Sequence, residues 1–246
     1  MTVVVIGGTG GLGREVVRGL RAQGATAMAA SRRTGVDLVT GEGLASALAG
    51  AEVVVHAALH PTQYRAVDLE GTRKIIGVLS DRQDPPHLIY VSIVGCDRNP
   101  YPYYRAKYAG ELVLERSGLP VTVVRATQYH TLVARIARAC AHGPVSVQPK
   151  VSFQSCDHLL VAERVVDTAL GEGPTGYRRL PDLAGPERTT LGEAVNLIRQ
   201  AAGRRPPWVI RLPAVGGTLQ AFARGANLPG PDAEIGGSTF RDFLRS

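Results

Sequence analysis

Three side chains in the first half of the chain have the types and spacing of an acid–base site: Ser92, Tyr103 and Lys107. Tyr103 and Lys107 are four residues apart, so they share one face of a helix. A nearby ammonium group favours phenolate and lowers a tyrosine pKa from about 10 toward neutral pH, where general acid–base catalysis is most efficient. A serine hydroxyl beside them could hold a substrate carbonyl. The spacing predicts proton transfer at a carbonyl oxygen, although a Tyr-x-x-x-Lys pair alone also occurs on solvated helix faces.

A glycine-rich turn at the start of the chain predicts a site for a phosphate-bearing ligand. An apolar run over residues 2–6 leads into the turn, and a helix-like segment follows it. Gly7 makes the tight turn, Gly10 lets the main chain approach a phosphate, and Gly13 allows close packing of the helix on its strand. The N–H groups at the helix start then face the anion. With a strand before it and a helix after it, the turn predicts a bound dinucleotide.

The elements that must position these residues alternate between strand and helix, which is typical of a parallel sheet with helices on both faces. Predicted strands cover residues 2–6, 25–30, 52–58, 87–92 and 121–125. Predicted helices follow the glycine turn and cover residues 43–49, 63–80 and 103–117. Ser92 ends the fourth strand, and ligands of open α/β sheets lie beyond the carboxyl ends of the strands. We expect an α/β fold with a Rossmann-type, doubly wound parallel sheet.

The second half of the chain is less regular, and we expect it to complete one domain over residues 1–246. Helices are predicted over 132–141, 158–170 and 239–244, with short strands near 145–147 and 151–153. Thr190 and Glu193 have the spacing of a capping box before a further helix through Ile198. Segments at about 128–160 and 176–246 are expected to form a small C-terminal substrate-binding part. Its apolar wall is predicted from four residues: Val133, Phe153, Trp208 and Phe222.

Composition excludes several other classes of protein. The net charge is +7, but the arginines are scattered and no basic stripe with interleaved aromatic residues occurs, so we expect no nucleic-acid partner. Cys96, Cys140 and Cys156 form no CxxC pair, so neither disulfides nor a metal site is expected. A strand begins at once and no apolar run nears 20 residues, so we expect no signal peptide, no membrane partner and a cytoplasmic protein.

Four motifs together resemble the NmrA-like branch of the atypical short-chain dehydrogenase/reductases. They are Gly7-Gly8-Thr9-Gly10-Gly11-Leu12-Gly13, Val91-Ser92-Ile93-Val94-Gly95, Tyr103-Tyr104-Arg105-Ala106-Lys107 and Val124-Arg125-Ala126-Thr127-Gln128-Tyr129-His130. The likeness extends over nearly the whole chain, through residues 182–187 and 239–240. It implies a Rossmann fold that binds NAD or NADP. Members of this branch range from working reductases to redox sensors that bind the cofactor without turnover.

The resemblance also implies which residues hold the cofactor. The phosphate turn comprises Gly7, Thr9, Gly10, Gly11, Leu12 and Gly13. Arg32 or Arg33, after Ser31, stands where NADP-binding members place a basic residue for the 2′-phosphate. No acidic residue is there to hold a ribose hydroxyl, so NADP(H) is favoured and NAD(H) is the alternative. The remaining implied contacts are Asp37 and Leu38 beside the adenine, Ala57 and Ala58 beside the ribose, Lys107 on the ribose, and Thr127. Arg32 as a solvated loop charge and Asp37 as a turn residue are the alternatives.

Some positions depart from the family pattern or leave a choice open. Asp68 stands where many relatives have asparagine, and Tyr104 competes with Tyr103 as the proton donor because both are within helical reach of Lys107. Gln128, Tyr129 and His130 follow the fifth strand and are expected to face the nicotinamide or the substrate. His130 is either an alternative proton donor or a buried histidine satisfied by the backbone.

These observations predict an NADPH-dependent reductase of a small apolar carbonyl, quinone or related unsaturated substrate. Tyr103 would supply the proton, Lys107 would lower its pKa, and Ser92 would orient the substrate oxygen. Two alternatives remain: a non-catalytic NADP(H)-binding redox sensor, and an isomerase, epimerase or dehydratase that retains its cofactor. The expected partner is a small-molecule substrate, and the protein is expected to be a monomer or a homodimer.

Overall fold

A computed structural model of the protein describes residues 1–141 and 143–245. The strands are β1 (Thr2–Ile6), β2 (Thr26–Ala30), β3 (Val53–His56), β4 (His87–Ile93), β5 (Val121–Ala126), β6 (Val145–Pro149), β7 (Ser152–Phe153), β8 (Tyr177–Arg179), β9 (Leu183–Ala184), β10 (Thr189–Thr190), β11 (Trp208–Leu212) and β12 (Glu234–Ile235). The α-helices are α1 (Gly11–Ala22), α2 (Leu44–Leu48), α3 (Thr72–Ser80), α4 (Pro102–Glu115), α5 (His130–Cys140), α6 (His158–Leu170), α7 (Leu191–Ala201), α8 (Gly217–Ala223) and α9 (Phe240–Phe243).

The chain divides into two compact units, which we describe separately. The first unit comprises Met1–Ser92, Pro102–Arg125 and Val161–Leu180. The second comprises Ile93–Tyr101, Ala126–Leu160 and Pro181–Ser246.

A parallel sheet forms the centre of the first unit and confirms the predicted α/β class. Its strand order is β2-β1-β3-β4-β5, and β8 pairs with β5. Val3 pairs with Ala27 on one side and with Val53 on the other, so β1 lies inside the sheet. This order brings the carboxyl ends of β1, β3 and β4 to the same edge, where the predicted ligand site lies.

The inner strands of the first unit, β1, β3, β4 and β5, are mostly apolar and almost entirely buried because both faces of the sheet are covered there. Val4 and Ile6 of β1 pack into a core with Leu48, Ile75 and residues of β4. Val3 and Val5, which alternate with them and point the other way, are equally buried. On the helical layers, a Cβ added to Gly19 of α1 would lie only 2.9 Å from Val166 of α6. The doubly wound arrangement follows from this two-sided burial.

The helix expected over residues 63–80 has two parts. A π-helix covers Arg65–Gly71, and the α-helix α3 begins only at Thr72. The wider turn carries Asp68 in a fully buried position, and the Asp68 carbonyl accepts a hydrogen bond from the Thr72 hydroxyl at 2.8 Å. π-Helical segments are frequent at functional sites. Nothing in the residue pattern distinguished this segment from a regular helix.

The second unit has its own apolar core between α5 and α7. Val133, Ala137 and Val195 are fully buried there, together with Phe153 and Phe240. Small strand pairs flank this core: β6 with β11, β7 with β10, and β9 with β12. The capping box predicted for α7 is confirmed, since the Thr190 hydroxyl accepts from the Glu193 N–H and the Glu193 carboxylate accepts from the Thr190 N–H.

Most predicted elements are present with shifted ends. The helix expected over 132–141 begins at His130, the strand expected over 52–58 ends at His56, and α6 has the predicted bounds. The short strands β8, β9, β10 and β12 and the helix α8 were not predicted. Strands of two or three residues carry too little alternation to be recognised in a sequence.

Candidate functional site

The glycine turn is closed tightly against the ends of two strands. Gly7 has φ +83°, and its N–H donates to the Ala30 carbonyl of β2 at 2.8 Å. A Cβ on Gly7 would lie 2.6 Å from the backbone of Ala58, just after β3. No side chain fits there, and the backbone angle favours glycine as well. The structure therefore places Ala57 and Ala58 directly beside the turn, and their contact with a ribose stays a prediction.

The beginning of α1 presents main chain rather than side chains. A Cβ on Gly13 would lie 2.2 Å from the Gly7 carbonyl oxygen, so only glycine allows the helix this close to the turn. Gly10 and Gly11 are exposed, and no side chain caps the first turn of the helix at Gly10. Leu12 points into the core and Thr9 is half-buried. A main-chain cradle with uncapped N–H groups suits a phosphate-bearing ligand.

The segment after β2 carries the two predicted arginines on a short 3₁₀ turn, Arg32–Thr34. The Thr34 hydroxyl accepts from the Ser31 N–H at 2.8 Å and fixes this turn. Arg32 and Arg33 are exposed, and among the described residues neither guanidinium has an ion-pair partner. Both positive charges are therefore available to an anion.

The structure gives Asp37 and Leu38 roles within the protein. The Asp37 carboxylate accepts from the Val39 N–H at 2.7 Å, which is the turn role weighed as its alternative. The Leu38 side chain lies in the core of the first unit. Contact of either residue with an adenine stays a prediction.

Lys107 is buried in an ion pair rather than exposed on the helix face. Its Nζ lies 2.7 Å from Asp68 Oδ1, and both side chains are almost completely buried. The ammonium also donates to the Val91 carbonyl at 2.8 Å and lies 4.7 Å from the centre of the Tyr90 ring. Burial raises the pKa of Asp68, and Lys107 opposes that rise. The lysine charge is thus largely balanced inside the protein.

His56 lies close to this ion pair and was treated as structural in the sequence. Its ring meets the Tyr90 ring edge-on, with centres 5.2 Å apart. Burial, and then the positive charge of Lys107, lower the pKa of His56 to about 3, against a small opposing effect of the Val67 backbone. His56 is therefore neutral at physiological pH. The sequence contained one signal for this cluster, the acidic residue at position 68.

The two candidate proton donors differ in exposure. Tyr104 is buried, with 3% of its surface exposed, whereas Tyr103 is half-buried. The Tyr103 ring packs against Tyr64, with centres 5.3 Å apart, and meets Tyr104 edge-on at 5.8 Å. Ser92 is buried at the end of β4 and follows the carbonyl that Lys107 binds. Tyr103 is therefore the tyrosine that a ligand can reach.

An open cleft of about 500 Å³ lies next to this aromatic pair. The residues that line it are Thr62, Gln63, Tyr64, Arg65, Ala66, Glu70 and Pro102. Tyr64 belongs to the cleft wall and touches Tyr103, while Arg65 and Glu70 form an ion pair at 3.4 Å. The cleft thus runs beside the reachable tyrosine, a relation that sequence spacing alone did not predict.

The residues expected to contact the substrate lie in the second unit and are held by hydrogen bonds. The Thr127 hydroxyl donates to the Gln154 carbonyl at 2.6 Å, and the Asn227 amide donates to Gln128 Oε1 at 3.1 Å. Thr127 and Gln128 are both buried. The Tyr129 ring packs against the tilted His158 ring, with ring centres 4.2 Å apart, and desolvation raises the pKa of the Tyr129 hydroxyl. Their contacts with cofactor or substrate stay predictions.

His130 has the buried, hydrogen-bonded role that was weighed against proton donation. Its Nδ1 is 2.8 Å from the Ser155 hydroxyl and its Nε2 is 3.0 Å from the Ser238 carbonyl. The ring is 1% exposed, and burial lowers its pKa. With both nitrogens occupied, His130 is a poor candidate for proton transfer.

The apolar wall expected from Val133, Phe153, Trp208 and Phe222 is wrong. Val133 and Phe153 are buried in the core of the second unit, and Phe222 packs against that core. Trp208 instead lies on β11 with 82% of its surface exposed. Apolar character alone does not distinguish a core residue from a pocket residue.

Residues 7–136 match the model of a family described as NAD(P)H-binding. A comparison with curated proteins finds no match. The fold is similar to that of an NADPH-dependent quinone oxidoreductase from Escherichia coli, solved with NADPH, with a TM-score of 0.77 and 16% identity over 99% of this chain and 98% of that one.

Two further solved structures have the same fold. A nucleoside-diphosphate-sugar epimerase from Staphylococcus aureus gives a TM-score of 0.74 and 17% identity over the full length of both chains. The triphenylmethane reductase of Citrobacter sp., complexed with NADP(H), gives 0.70 and 16% identity over 94% of this chain and 93% of that one. Within residues 1–141 and 143–245, no helix is both long and apolar enough to cross a membrane.

Proposed function

Because the chain belongs to the NAD(P)H-binding family, we propose that it is an NADPH-dependent reductase of a small apolar carbonyl, quinone or related unsaturated compound. The observation that carries this proposal is the main-chain cradle at the end of β1, where a Cβ on Gly7 or Gly13 would collide with backbone. Such a cradle accepts a pyrophosphate through N–H groups at a helix start.

The charges after β2 favour NADPH over NADH. Arg32 and Arg33 follow the strand directly, are exposed, and have no ion-pair partner among the described residues. A 2′-phosphate is a strong acceptor for guanidinium groups. The nearest acidic residue, Asp37, uses its carboxylate in a turn. The segment therefore offers a phosphate site and no carboxylate for a ribose hydroxyl.

In this proposal the first unit also supplies the proton donor. NADPH bound in the cradle would supply the hydride. Tyr103 would then donate its hydroxyl proton to the carbonyl oxygen as the carbonyl carbon accepts hydride, and the Ser92 hydroxyl would hold that oxygen. The cleft beside Tyr64 is the proposed approach for the substrate, since its wall touches Tyr103.

Lys107 acts in this proposal as a positioning residue. Its ammonium joins α4 to the Val91 carbonyl of β4, one residue before Ser92. The ion pair with Asp68 reduces the charge that reaches Tyr103. Lys107 therefore fixes the relation between the helix that carries Tyr103 and the strand that carries Ser92, rather than binding a ribose.

The same ion pair supports a second candidate, an NADP(H)-binding redox sensor without turnover. A lysine neutralised by a buried carboxylate activates a neighbouring tyrosine weakly. Such a sensor would retain the cradle and the two arginines. It would bind NADPH and consume none of it.

Cofactor choice is tested by calorimetric titration of NADPH and NADH into wild type, Arg32→Ala/Arg33→Ala and the control Arg116→Ala. We expect the double substitution to weaken NADPH binding by roughly 10- to 100-fold and to leave NADH binding unchanged. Arg116 is exposed at the far end of α4, so its removal should change neither affinity. Equal losses for both cofactors would contradict the assignment of the arginines to the 2′-phosphate.

Turnover is tested by NADPH oxidation with a panel of quinones and carbonyl compounds. Tyr103→Phe should lower kcat by about 100-fold, whereas the matched Tyr104→Phe should retain most activity. Saturable NADPH binding without oxidation of any compound would favour the sensor. Product formed without net NADPH consumption would favour a cofactor-retaining isomerase, epimerase or dehydratase.

A further inference from the structure

An apolar sheet face of the second unit is exposed. In the parallel pair β6 and β11, Trp208 lies opposite Val145, and Ile210 lies opposite Val147. Alternate residues of a strand point to one face, so these four and Leu212 form a single surface, the Trp208 face. Trp208 is 82% exposed, and the other four are 42–52% exposed. Contiguous exposed apolar patches usually mark an interaction site.

The two strands that carry the Trp208 face are anchored by hydrogen bonds to the rest of the second unit. Arg199 of α7 donates through its guanidinium to the carbonyls of Ala141 and Gly143, before β6, and of Arg205, before β11. On the opposite face of β6, Ser146 and Gln148 are buried. One side of β6 is therefore anchored to the unit while the other presents apolar side chains.

Basic residues flank the two strands of this face, and the segments that build it contain no acidic residue. Residues 116–156, which contain β6, and 194–231, which contain β11, include no Asp or Glu. The exposed cations in these segments that flank the two strands are Lys150, Arg204 and Arg205. Two copies of this surface would bring like charges together, which disfavours self-association.

We propose that the Trp208 face binds the surface of an anionic phospholipid bilayer. Arginines beside exposed apolar residues are attracted by the negative potential of an anionic membrane surface, and tryptophan is enriched at the membrane–water interface. The five side chains of the face contribute no hydrogen-bonding group except the indole N–H. A specific protein interface normally carries about one hydrogen bond per 100–200 Å². The apolar, basic composition therefore suits lipid better than an acidic protein.

This proposal concerns a protein that lies on a membrane. The sequence expectation of no membrane partner rested on the lack of a spanning segment, which a surface contact does not need. The contact is independent of the proposed reductase, because every residue of the Trp208 face belongs to the second unit and none was assigned to the cofactor or to proton transfer.

Trp208 is the only tryptophan in the chain, so intrinsic fluorescence reports directly on this surface. The protein is mixed with vesicles of phosphatidylglycerol or of phosphatidylcholine, and the Trp208 emission spectrum is recorded. The same mixtures are then centrifuged to measure how much protein sediments with the vesicles. We expect a blue shift of the Trp208 emission and co-sedimentation with phosphatidylglycerol only, both reduced at high salt. No shift and no co-sedimentation with phosphatidylglycerol would overturn the proposal.

Variants locate the contact. Arg204→Glu/Arg205→Glu should weaken vesicle binding at least about tenfold, and Ile210→Asp should do so while keeping Trp208 as the reporter. The control Arg116→Glu/Arg188→Glu makes the same change in net charge at exposed sites elsewhere and should bind as wild type does. Far-ultraviolet circular dichroism and NADPH titration verify that each variant is folded.

Three results would assign the face differently and overturn the proposal. Equal loss in the control variant would mean that net charge, not this face, attracts the vesicles. A blue shift with polyglutamate and none with vesicles would indicate an acidic polypeptide partner. A dimer in sedimentation equilibrium that Ile210→Asp dissociates would indicate a second copy of the chain.

Discussion

Two buried ion pairs extend from helix α4 one turn apart, and they are built differently. Arg125 donates to Glu111 through Nε, at 2.9 and 3.2 Å, and through Nη2, at 2.6 Å, so both carboxylate oxygens are engaged. Lys107 meets Asp68 at a single oxygen, 2.7 Å away. The second oxygen, Asp68 Oδ2, has no hydrogen-bond partner within the described part of the chain. Both carboxylate oxygens of Glu111 are therefore hydrogen-bonded, whereas one carboxylate oxygen of Asp68 is not.

The difference separates a structural clamp from a site where protons can move. A bidentate guanidinium–carboxylate pair is geometrically fixed and suits the attachment of α4 to β5. The Lys107–Asp68 pair lies instead beside the candidate site. Lys107 binds the carbonyl of Val91, the residue before Ser92, and is one helical turn from Tyr103. The neutral His56 lies close to this pair. Burial raises the pKa of the Asp68 carboxyl and the charge of Lys107 opposes that rise, so the ionisation of Asp68 depends on Lys107. We expect the first pair to dominate stability and the second to affect ionisation.

The largest effect is expected from opening the clamp. Arg125→Met would leave the Glu111 carboxylate, 3% exposed, buried without a partner, and should lower the free energy of unfolding by about 3–5 kcal/mol. Urea denaturation measures this loss. The double variant Glu111→Leu/Arg125→Met, which removes both charges, should recover most of it. A loss below about 1 kcal/mol for Arg125→Met would show that the clamp has little structural importance.

Acidification should destabilise the protein through His56, which lies close to the Lys107–Asp68 pair. The histidine pKa is about 3 in the folded protein and about 6.5 when unfolded, so the unfolded state binds more protons between these values. The stability that the neutral histidine contributes is fully present above pH 6.5 and is lost as pH falls toward 3, and the loss amounts to about 3 kcal/mol at pH 4.

The measurement is urea denaturation between pH 7 and pH 4. His56→Gln should lose less stability on acidification than wild type does. His87 serves as the comparison because its pKa is lowered to about 4 by burial and then by the positive charge of Arg178, and not by Lys107. Equal pH dependence in wild type and His56→Gln would contradict the assignment.

The fold of the first unit was largely predictable because its inner strands are buried on both faces. Continuous apolar runs such as residues 2–6 and 121–125 identify inner parallel strands, and the glycine turn fixes where the first helix starts. The second unit was harder. Its strands β9, β10 and β12 have two residues each, and their pairing depends on long-range contacts that no local pattern encodes.

The candidate site was predictable where main-chain geometry decides it. Gly7 and Gly13 cannot be replaced without a collision, and their spacing between a predicted strand and a predicted helix indicated the turn. The environment of Lys107 was not predictable, because it depends on a π-helix that carries Asp68 into the core. Helical spacing placed Lys107 on the same face as Tyr103 but did not reveal that its charge was already paired.

A smaller loss of stability is expected when the lysine pair is opened. Lys107→Met leaves Asp68 buried, but this carboxyl can take up a proton, so we expect a loss of about 1–3 kcal/mol at pH 7, less than for Arg125→Met. The folded pKa of Asp68 is raised above its unfolded value, and without Lys107 it should rise further. The folded variant then binds more protons than its unfolded state does, so its stability should fall as pH rises above the ordinary carboxyl range. A pH-independent loss would show that Asp68 remains ionised in the variant.

The smallest effect expected is on the pH dependence of turnover. Asp68→Asn removes the negative charge that balances Lys107 but keeps the size of the side chain. The unbalanced ammonium should lower the pKa of Tyr103, which is four residues away on α4, so the pH–kcat profile should move to lower pH by about half a unit. Tyr104→Phe is the control, because it leaves the charge balance of the pair unchanged. A lower kcat with an unmoved profile would show that Asp68 only holds α4 in place, as Glu111 does one turn further along the helix.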